Sequence, residues 1–156
     1  MSLDSHSEDD LEDLAGVYKG LSHEARLAIL FGLNDDANLN EVADFLDITR
    51  GALQDHIQML LDAELIYRPE ESGTTYSLTP LGEYFVEKLE QDEETVIQAL
   101  KELEEAEQEL QEKYQGQIEG VEDSDLIDQG KIEKKVHTEK WEQVAGKVWD
   151  LLTRSN

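Results

Sequence analysis

The chain contains no cysteine among its 156 residues. Disulfide bonds, thiolate metal sites and cysteine nucleophiles all need a thiol, so the sequence excludes them. It also lacks any run of about 18 apolar residues and therefore predicts no transmembrane helix and no membrane partner. The first thirteen residues are acidic and lack an apolar stretch. We therefore predict no secretory signal and a cytoplasmic location.

Basic residues are also scarce, because 13 Lys and Arg stand against 38 Asp and Glu and give a formal net charge of −25. The acids are spread along the chain: residues 1–90 hold 20 acids and 5 bases, and residues 91–156 hold 18 acids and 8 bases. At molar salt the Debye length falls to about 3 Å, so such a surface repels itself little. We interpret the chain as a folded halophilic protein; the alternative is an acidic protein from ordinary salt.

Apolar residues recur at helical spacing through the first half of the chain, after a disordered acidic lead over residues 1–10. The pattern predicts four short helices, the last one burying a stripe of Leu53, Ile57 and Leu60. Capping and stop residues give their limits. These are Gly20 after a first helix over residues 11–19, Ser22 before the second, Asn34 to Asp36 after it, Asn38 before the third, Thr49 before the fourth, and Ala63 and Glu64 at its end.

The period then changes to that of extended chain. Residues 65–68, LIYR, look extended up to Pro69, residues 71–73 are turn formers, and residues 74–78 alternate. This pattern predicts a small β-hairpin. We expect residues 11–79 to form one domain, so the predicted fold class is mainly α with a small hairpin.

Thr79 and Pro80 are a cap and a first-turn proline, and they predict a long helix over residues 80–114. Apolar residues repeat along it every seven positions at Leu89, Val96, Leu103 and Leu110, and Ala99 and Ala106 flank this seam. Such an imperfect heptad favours a helix that pairs with a second copy of the chain. The alternative is a single helix lying on its own domain.

Residues 115–136 are rich in Gly, Asp, Glu and Gln and predict a flexible linker, followed by an amphipathic helix over residues 137–156 that Thr138 caps. Trp141 and Trp149 share one face of this helix and need cover. We expect the long helix of the same or the partner chain to supply it; the alternative is a docking site for another protein. The predicted dimerisation residues are Leu89, Val96, Leu100, Leu103, Leu110, Trp141 and Trp149.

Four short stretches resemble those of a known family. Residues 21–30 read LSHEARLAIL, residues 39–43 read LNEVA, residues 49–60 read TRGALQDHIQML and residues 63–66 read AELI. Together they resemble winged-helix transcriptional regulators of the arsenical-repressor type, in a halophilic archaeal form. Residues 78–82, LTPLG, look more like multiple-antibiotic-resistance and phenolic-acid regulators. The resemblance covers roughly residues 20–85 and implies a winged helix-turn-helix that binds double-stranded DNA.

A helix-turn-helix inserts the first half of its second helix into the major groove. Gln pairs with adenine and Arg with guanine, while a hydroxyl at the helix start suits a phosphate. The resemblance implies a recognition helix over residues 49–63 and a wing over residues 66–78. His56 has two open interpretations, a DNA contact or a residue packed on the third helix, and His23 is expected to be exposed. The predicted DNA contacts are Thr49, Arg50, Gln54, Asp55, His56, Gln58, Arg68, Ser72, Gly73 and Thr74.

The charge conflicts with DNA binding, because phosphate contacts by basic residues normally supply much of the affinity. One solution is a salt-rich cytoplasm in which potassium or sodium ions bridge the carboxylates of the protein and the phosphates of the DNA. The usual fall of DNA affinity with rising salt would then flatten or reverse. The other is that the domain contacts proteins instead of DNA.

Other sites are missing from the sequence. The four histidines, at 6, 23, 56 and 137, form no His-x-x-x-His pair, and no glycine-rich phosphate loop or Ser-His-Asp spacing occurs. We therefore predict neither a metal sensor nor an enzyme, and no cofactor. The sequence favours a homodimeric, sequence-specific transcriptional regulator, by default a repressor. Two alternatives remain: an acidic module docking on transcription machinery, and a one-component sensor whose linker and last helix enclose a small ligand.

Overall fold

A computed structural model of the chain describes residues 5–118 and 125–154, and within these the side chains of 116–118 and 125–129 are not described. The described residues form six helices and one two-stranded antiparallel sheet, which confirms a mainly helical fold with a small hairpin. None of the helices in these ranges is long and apolar enough to cross a bilayer. The elements are α1 (Glu8–Leu21), α2 (Glu24–Asn34), α3 (Leu39–Leu46), α4 (Arg50–Asp62), β1 (Ile66–Tyr67), β2 (Ser77–Leu78), α5 (Pro80–Ile118) and α6 (Asp125–Thr153).

The chain divides within α5 into two compact units, an N-terminal unit (Met1–Leu89) and a C-terminal unit (Glu90–Asn156). The N-terminal unit begins its first helix earlier than predicted. Ser7 caps α1, because its hydroxyl accepts from the backbone N–H of Asp10 at 3.0 Å. Glu8, Asp9 and Asp10 then lie in the first turn, where carboxylates favour the helix dipole. The prediction of disorder is therefore wrong for residues 8–10, and residues 1–4 lie outside the described residues.

The junction of α1 and α2 also differs from the prediction. Gly20 does not end α1 but lies buried inside it, and a Cβ there would come within 2.7 Å of the Cβ of Ala63. Glycine is needed at this position because two helices approach closely. The cap of α2 is His23, whose Nδ1 accepts from the N–H of Ala25 at 3.0 Å, whereas the hydroxyl of Ser22 donates to the carbonyl of Lys19.

The predicted caps of α3 and α4 are confirmed. The side chain of Asn38 accepts from the N–H of Asn40 at 2.8 Å, and that of Thr49 accepts from the N–H of Ala52 at 3.1 Å. Between these helices Asp47 adopts a left-handed conformation with φ of 54°, and Glu64 does so after α4 with φ of 62°. Acidic residues in the left-handed conformation thus make both turns.

One apolar cluster holds the N-terminal unit together. The predicted stripe of Leu53, Ile57 and Leu60 is buried in it, together with Ile29 and Leu30 of α2. The hairpin closes the cluster, since Ile66 of β1 is buried and pairs with Leu78 of β2. Each strand is only two residues long, so the extended segments predicted on either side are mostly irregular.

The start of α5 is joined to the hairpin. The hydroxyl of Thr79 accepts from the N–H of Gly82 at 3.0 Å and donates to the carbonyl of Glu64 at 2.7 Å. A Cβ at Gly82 would collide with the carbonyl oxygen of Leu65, so this first turn of α5 lies directly on the backbone. The predicted cap at Thr79 is confirmed.

The C-terminal unit corrects the prediction of a long linker. Helix α5 continues to Ile118, and α6 begins at Asp125, so residues 115–118 and 125–136 are helical. Thr138 lies inside α6 and is not its cap. Only residues 119–124 of the predicted linker lie outside the described residues. Packing explains the difference, because Val136 is buried against Leu110 and Tyr114 of α5.

Helices α5 and α6 pack against each other in antiparallel orientation, since Glu102 pairs with Lys147 at 2.8 Å and Glu107 with Lys140 at 3.4 Å. The hydroxyl of Tyr114 also donates to the carboxylate of Glu139. The long helix therefore has a partner within its own chain. Ala99 and Ala106, which were expected to flank a seam, lie at its centre with Val144 and Val148, because small side chains allow close approach.

Candidate nucleic-acid interface

Helix α4 presents a polar face to solvent. Gln54, Asp55 and Gln58 are exposed, while Leu53 and Ile57 face the core. Since successive helical residues lie about 100° apart, the three polar residues fall within an arc of about 100°. The structure thus brings together most of the residues that the sequence assigned to base contacts.

The N-terminus of α4 is exposed as well. The oxygen of Thr49 already accepts the capping hydrogen bond from Ala52, which leaves its O–H and the exposed first turn for an anion. Arg50 is exposed, and it forms no ion pair with any residue in the described ranges. Its guanidinium is therefore available to a ligand.

Gln58 has a local partner that the sequence did not indicate. Its amide nitrogen donates to the carboxylate of Asp62 at 2.9 Å, one helical turn further on. A bidentate contact with a base would need this amide to turn away from Asp62. Gln54 makes no such bond within the described part of the chain and is the freer of the two.

The side chain of His56, on α4, packs against α2. One of the two interpretations placed it on α3, and that interpretation is wrong. Its Nδ1 lies 3.0 Å from Nη1 of Arg26, and its ring centroid lies 4.5 Å from that of His23. Burial lowers the pKa of His56, and the charges of His23 and Arg26 lower it further against the opposing effect of Asp55. Because a guanidinium only donates, Nδ1 of His56 accepts and the proton lies on Nε2. His23 is exposed, as expected, but it also caps α2.

Arg26 is the functional neighbour that the sequence analysis missed. It is the single buried charged residue of the described chain, with 6% of its surface exposed. Its Nε donates to the carbonyl of Gly20 at 2.9 Å and its Nη2 to that of Lys19 at 3.0 Å. These carbonyls form the negative end of α1, which favours a cation there. The available signal was an arginine inside an apolar helix of a chain with few bases.

The hairpin contributes the remaining predicted contacts. Ser72 and Thr74 are exposed, Gly73 is half-buried in a turn closed by a bond from its N–H to the carbonyl of Glu70, and the guanidinium of Arg68 lies 5.5 Å from the ring centroid of Tyr76. Thr74 also lines the same cavity as Gln54 of α4. The loop and the polar face of α4 are therefore neighbours.

Acids surround this surface. Asp55 and Asp62 of α4 and Glu70 of the hairpin loop are exposed, as are the cations of Arg50 and Arg68. No three His, Asp or Glu side chains of the described residues are placed to hold a metal ion.

A second surface lies on the C-terminal unit. Val96 and Leu100 flank the buried stripe of α5, and Trp141, Trp149 and Leu152 flank that of α6. Because the helices are antiparallel, both flanks lie on the same side of the pair; the polar residues Glu94, Thr95, Gln98 and Arg154 line a groove on the other side. We call Val96, Leu100, Trp141, Trp149 and Leu152 the apolar face.

The apolar face contains four of the seven residues predicted to mediate dimerisation. Leu100 is 55% exposed and Trp149 is 67% exposed. The chain itself therefore covers neither the heptad positions of α5 nor the tryptophan-bearing face of α6 completely. Leu110 packs on α6 and is only 3% exposed. It is therefore not available for a contact with a second copy of the chain. Leu103 is partly buried against α6, and Leu89 is half-buried in the N-terminal unit.

No protein-family model, no curated protein and no solved structure gives a significant match to this chain. The assignment of function therefore depends on the residues and their geometry.

Proposed function

We propose that the protein is a homodimeric winged helix-turn-helix regulator that binds double-stranded DNA at high salt. The observation that carries this proposal is the exposed polar face of α4, with Arg50 free at its start and Gln54 beside the hairpin loop. In this assignment α3 and α4 are the helix-turn-helix, α4 enters the major groove, and the hairpin is the wing on the adjacent backbone.

The turn between the two helices supports the assignment. The left-handed Asp47 and the cap at Thr49 allow α4 to follow α3 after three residues. The motifs of residues 21–66 that resemble arsenical-repressor-type regulators coincide with these elements. A repressor that excludes polymerase from a promoter in the cytoplasm is the simplest output of such a domain.

The acidic surface determines how this binding depends on salt. Potassium or sodium ions between the carboxylates of Asp55, Asp62 and Glu70 and the DNA phosphates would be taken up on binding. Counterion release from DNA would then be offset, and the usual steep fall of affinity with salt would flatten or reverse.

The apolar face supports the homodimer. Large contiguous apolar surfaces on a folded chain mark interaction sites. Within the C-terminal unit α5 carries 10 acids and 2 bases, whereas α6 carries 6 acids and 5 bases. A two-fold axis through the apolar face would place α6 of one copy beside α5 of its partner, where the five bases of α6 reduce the repulsion that two acidic α5 helices would feel.

In vitro selection from random duplexes in molar potassium chloride tests the function. The proposal expects a near-palindromic sequence to be enriched, and its affinity to hold or rise between low and molar salt. A chain that remains folded and dimeric yet enriches no duplex would contradict it.

A second candidate is a module that docks on transcription machinery. It is favoured by the exposed acids of α4 and by Phe45 of α3, which is 83% exposed. Failure of the selection, with retention of transcription proteins from the host, would favour it. A ligand sensor enclosed by α5 and α6 has less support, since the groove of about 280 Å³ there is open and lined by four polar residues and Leu151.

A further inference from the structure

The N-terminal unit contains a cavity of about 300 Å³ beside the polar face of α4. It lies between the start of α3, α4 and the loop that precedes β2. Its volume is at the lower limit for small-molecule sites. The lining residues are Leu33, Ala37, Asn38, Leu39, Asn40, Leu53, Gln54, Ile57, Thr74, Thr75 and Tyr76.

None of these lining residues is charged, although 33% of the chain is. The inner wall is apolar, since the buried side chains of Leu53 and Ile57 are joined by leucines and the ring of Tyr76. The outer wall consists of amides and hydroxyls. The cavity thus differs from the acidic surface around it.

The polar groups of this outer wall are largely unused. The side-chain oxygen of Asn38 already accepts the capping hydrogen bond of α3 from the N–H of Asn40. The side chains of Asn40, Gln54, Thr74 and Thr75 form no hydrogen bond with any residue in the described ranges. Four neutral side chains with free donors and acceptors therefore surround an apolar floor.

These features restrict the chemistry of a ligand. An anion would meet no cation among the lining residues of the cavity. A cation would find no carboxylate among the lining residues. A purely apolar molecule would desolvate the amides without replacing their hydrogen bonds. An uncharged molecule with an apolar ring and an amide group would pack its ring on the apolar inner wall and form hydrogen bonds with the amides and hydroxyls of the outer wall.

We propose that this cavity binds a small uncharged aromatic amide. Resting on the proposed function, the same site regulates DNA binding, because Gln54 lines the cavity and also lies on the face of α4 assigned to the major groove. A ligand that engages Gln54 and the loop at Thr74 competes with DNA for both.

Three isosteric probes test the chemistry: benzamide, benzoate and benzamidine, which differ mainly in charge. Each is titrated into the full-length chain in molar potassium chloride, and amide shifts are followed by NMR. We expect benzamide to bind with a Kd on the order of 1 mM, as its small contact area allows. The shifts should concentrate at Asn40, Gln54 and residues 74–76, while benzoate and benzamidine leave them unchanged.

Two variants locate the site. Ala37→Leu fills the cavity and should raise the Kd for benzamide about tenfold. Thr75→Ala removes one hydroxyl and should raise it several-fold. The matched control is Thr138→Ala on the exposed surface of α6, which should leave it unchanged. Absence of shifts with benzamide, or equal shifts with all three probes, would overturn the proposal.

The effect on DNA is measured separately on the duplex obtained by selection. Benzamide at saturating concentration should weaken binding to this duplex, and the effect should vanish in Ala37→Leu. Binding of benzamide with unchanged DNA affinity would reject the regulatory role alone, and failure to select any duplex would leave the cavity measurement intact.

Discussion

Nη1 of Arg26 donates to Nδ1 of His56 across 3.0 Å and so connects α2 with the helix that carries the proposed DNA contacts. The same guanidinium holds the last carbonyls of α1 through Nε and Nη2. One buried cation without a carboxylate partner thus joins three helices.

Replacing Arg26 by Met should lower the free energy of unfolding by about 2–3 kcal/mol, since the carbonyl of Gly20 and Nδ1 of His56 each lose the hydrogen bond from the guanidinium. Urea denaturation in molar potassium chloride measures this. Arg154→Met, at an exposed residue, is the control and should change the value by about 0.5 kcal/mol or less. Equal effects in the two variants would show that Arg26 contributes no more than a surface arginine.

The pKa of His56 is lowered by burial and by its cationic neighbours, so stability should depend on pH. Above the ordinary value of 6.5 the imidazole is neutral in both states, and its contribution is complete. As the pH falls below this value the unfolded chain binds the proton first, so the free energy of unfolding decreases until the pH passes the lowered pKa.

The variant His56→Gln, whose amide oxygen can still accept from Arg26, should lose this part of the decrease below pH 6.5. Subtracting its urea midpoints from those of the wild type isolates His56 from the many carboxylates. His137→Gln, at an exposed histidine, should behave as the wild type. Parallel curves for all three proteins would rule out the coupling.

Gly82 and Gly146 should respond oppositely to alanine. At Gly82 a Cβ meets the carbonyl oxygen of Leu65, so Gly82→Ala should destabilise the chain by about 1–3 kcal/mol. At Gly146 nothing lies within 4 Å, so Gly146→Ala should stabilise α6 by about 0.5–1 kcal/mol. Thermal unfolding compares the two, and a gain of stability at Gly82 would contradict the close approach of α5 to the backbone of Leu65.

Trp149→Asp should dissociate the proposed dimer while leaving each chain folded. The substitution places a charge in the apolar face and removes a large aromatic side chain, which typically costs about 2 kcal/mol or more. Sedimentation equilibrium in molar salt measures the mass, and circular dichroism the helix content. Phe45→Asp, at a more exposed aromatic residue outside this face, should leave the mass at that of a dimer. A monomeric wild type would remove the apolar face as the interface.

Arg50→Ala should weaken binding to the selected duplex by about 1–3 kcal/mol and relax the preference at one base position. Its guanidinium is exposed at the start of α4 and forms no ion pair within the described residues. Gel shifts in molar potassium chloride compare it with Arg154→Ala, which should bind normally. Unchanged affinity would remove Arg50 from the contacts.

Local features were predicted well where local chemistry decides them. Asn38 and Thr49 cap their helices with their own side chains, and the stripe of Leu53 and Ile57 follows from helical spacing alone. Gln54 and Asp55 are exposed for the same reason, as the opposite face of that helix. These residues needed no knowledge of distant neighbours.

The prediction was wrong where a distant segment decides the outcome. The sequence predicts a helix stop at Gly20, but this glycine lies inside α1 and is required by the close approach of Ala63. Its glycines and charged residues predict a linker at the start of α6, yet Val136 packs on Leu110 and Tyr114. Helix propensity is weaker than such tertiary burial.

The sequence by itself determined the mainly helical class, the two central caps, the hairpin, the polar face of α4 and the absence of thiol chemistry. Those features depend on side-chain type and on spacing over a few residues. Only the tertiary structure decided that Arg26 holds His56, that α6 covers α5 within one chain, and that an uncharged cavity lies beside Gln54. Each of these joins residues far apart in the chain, and their contacts arise only when the helices pack.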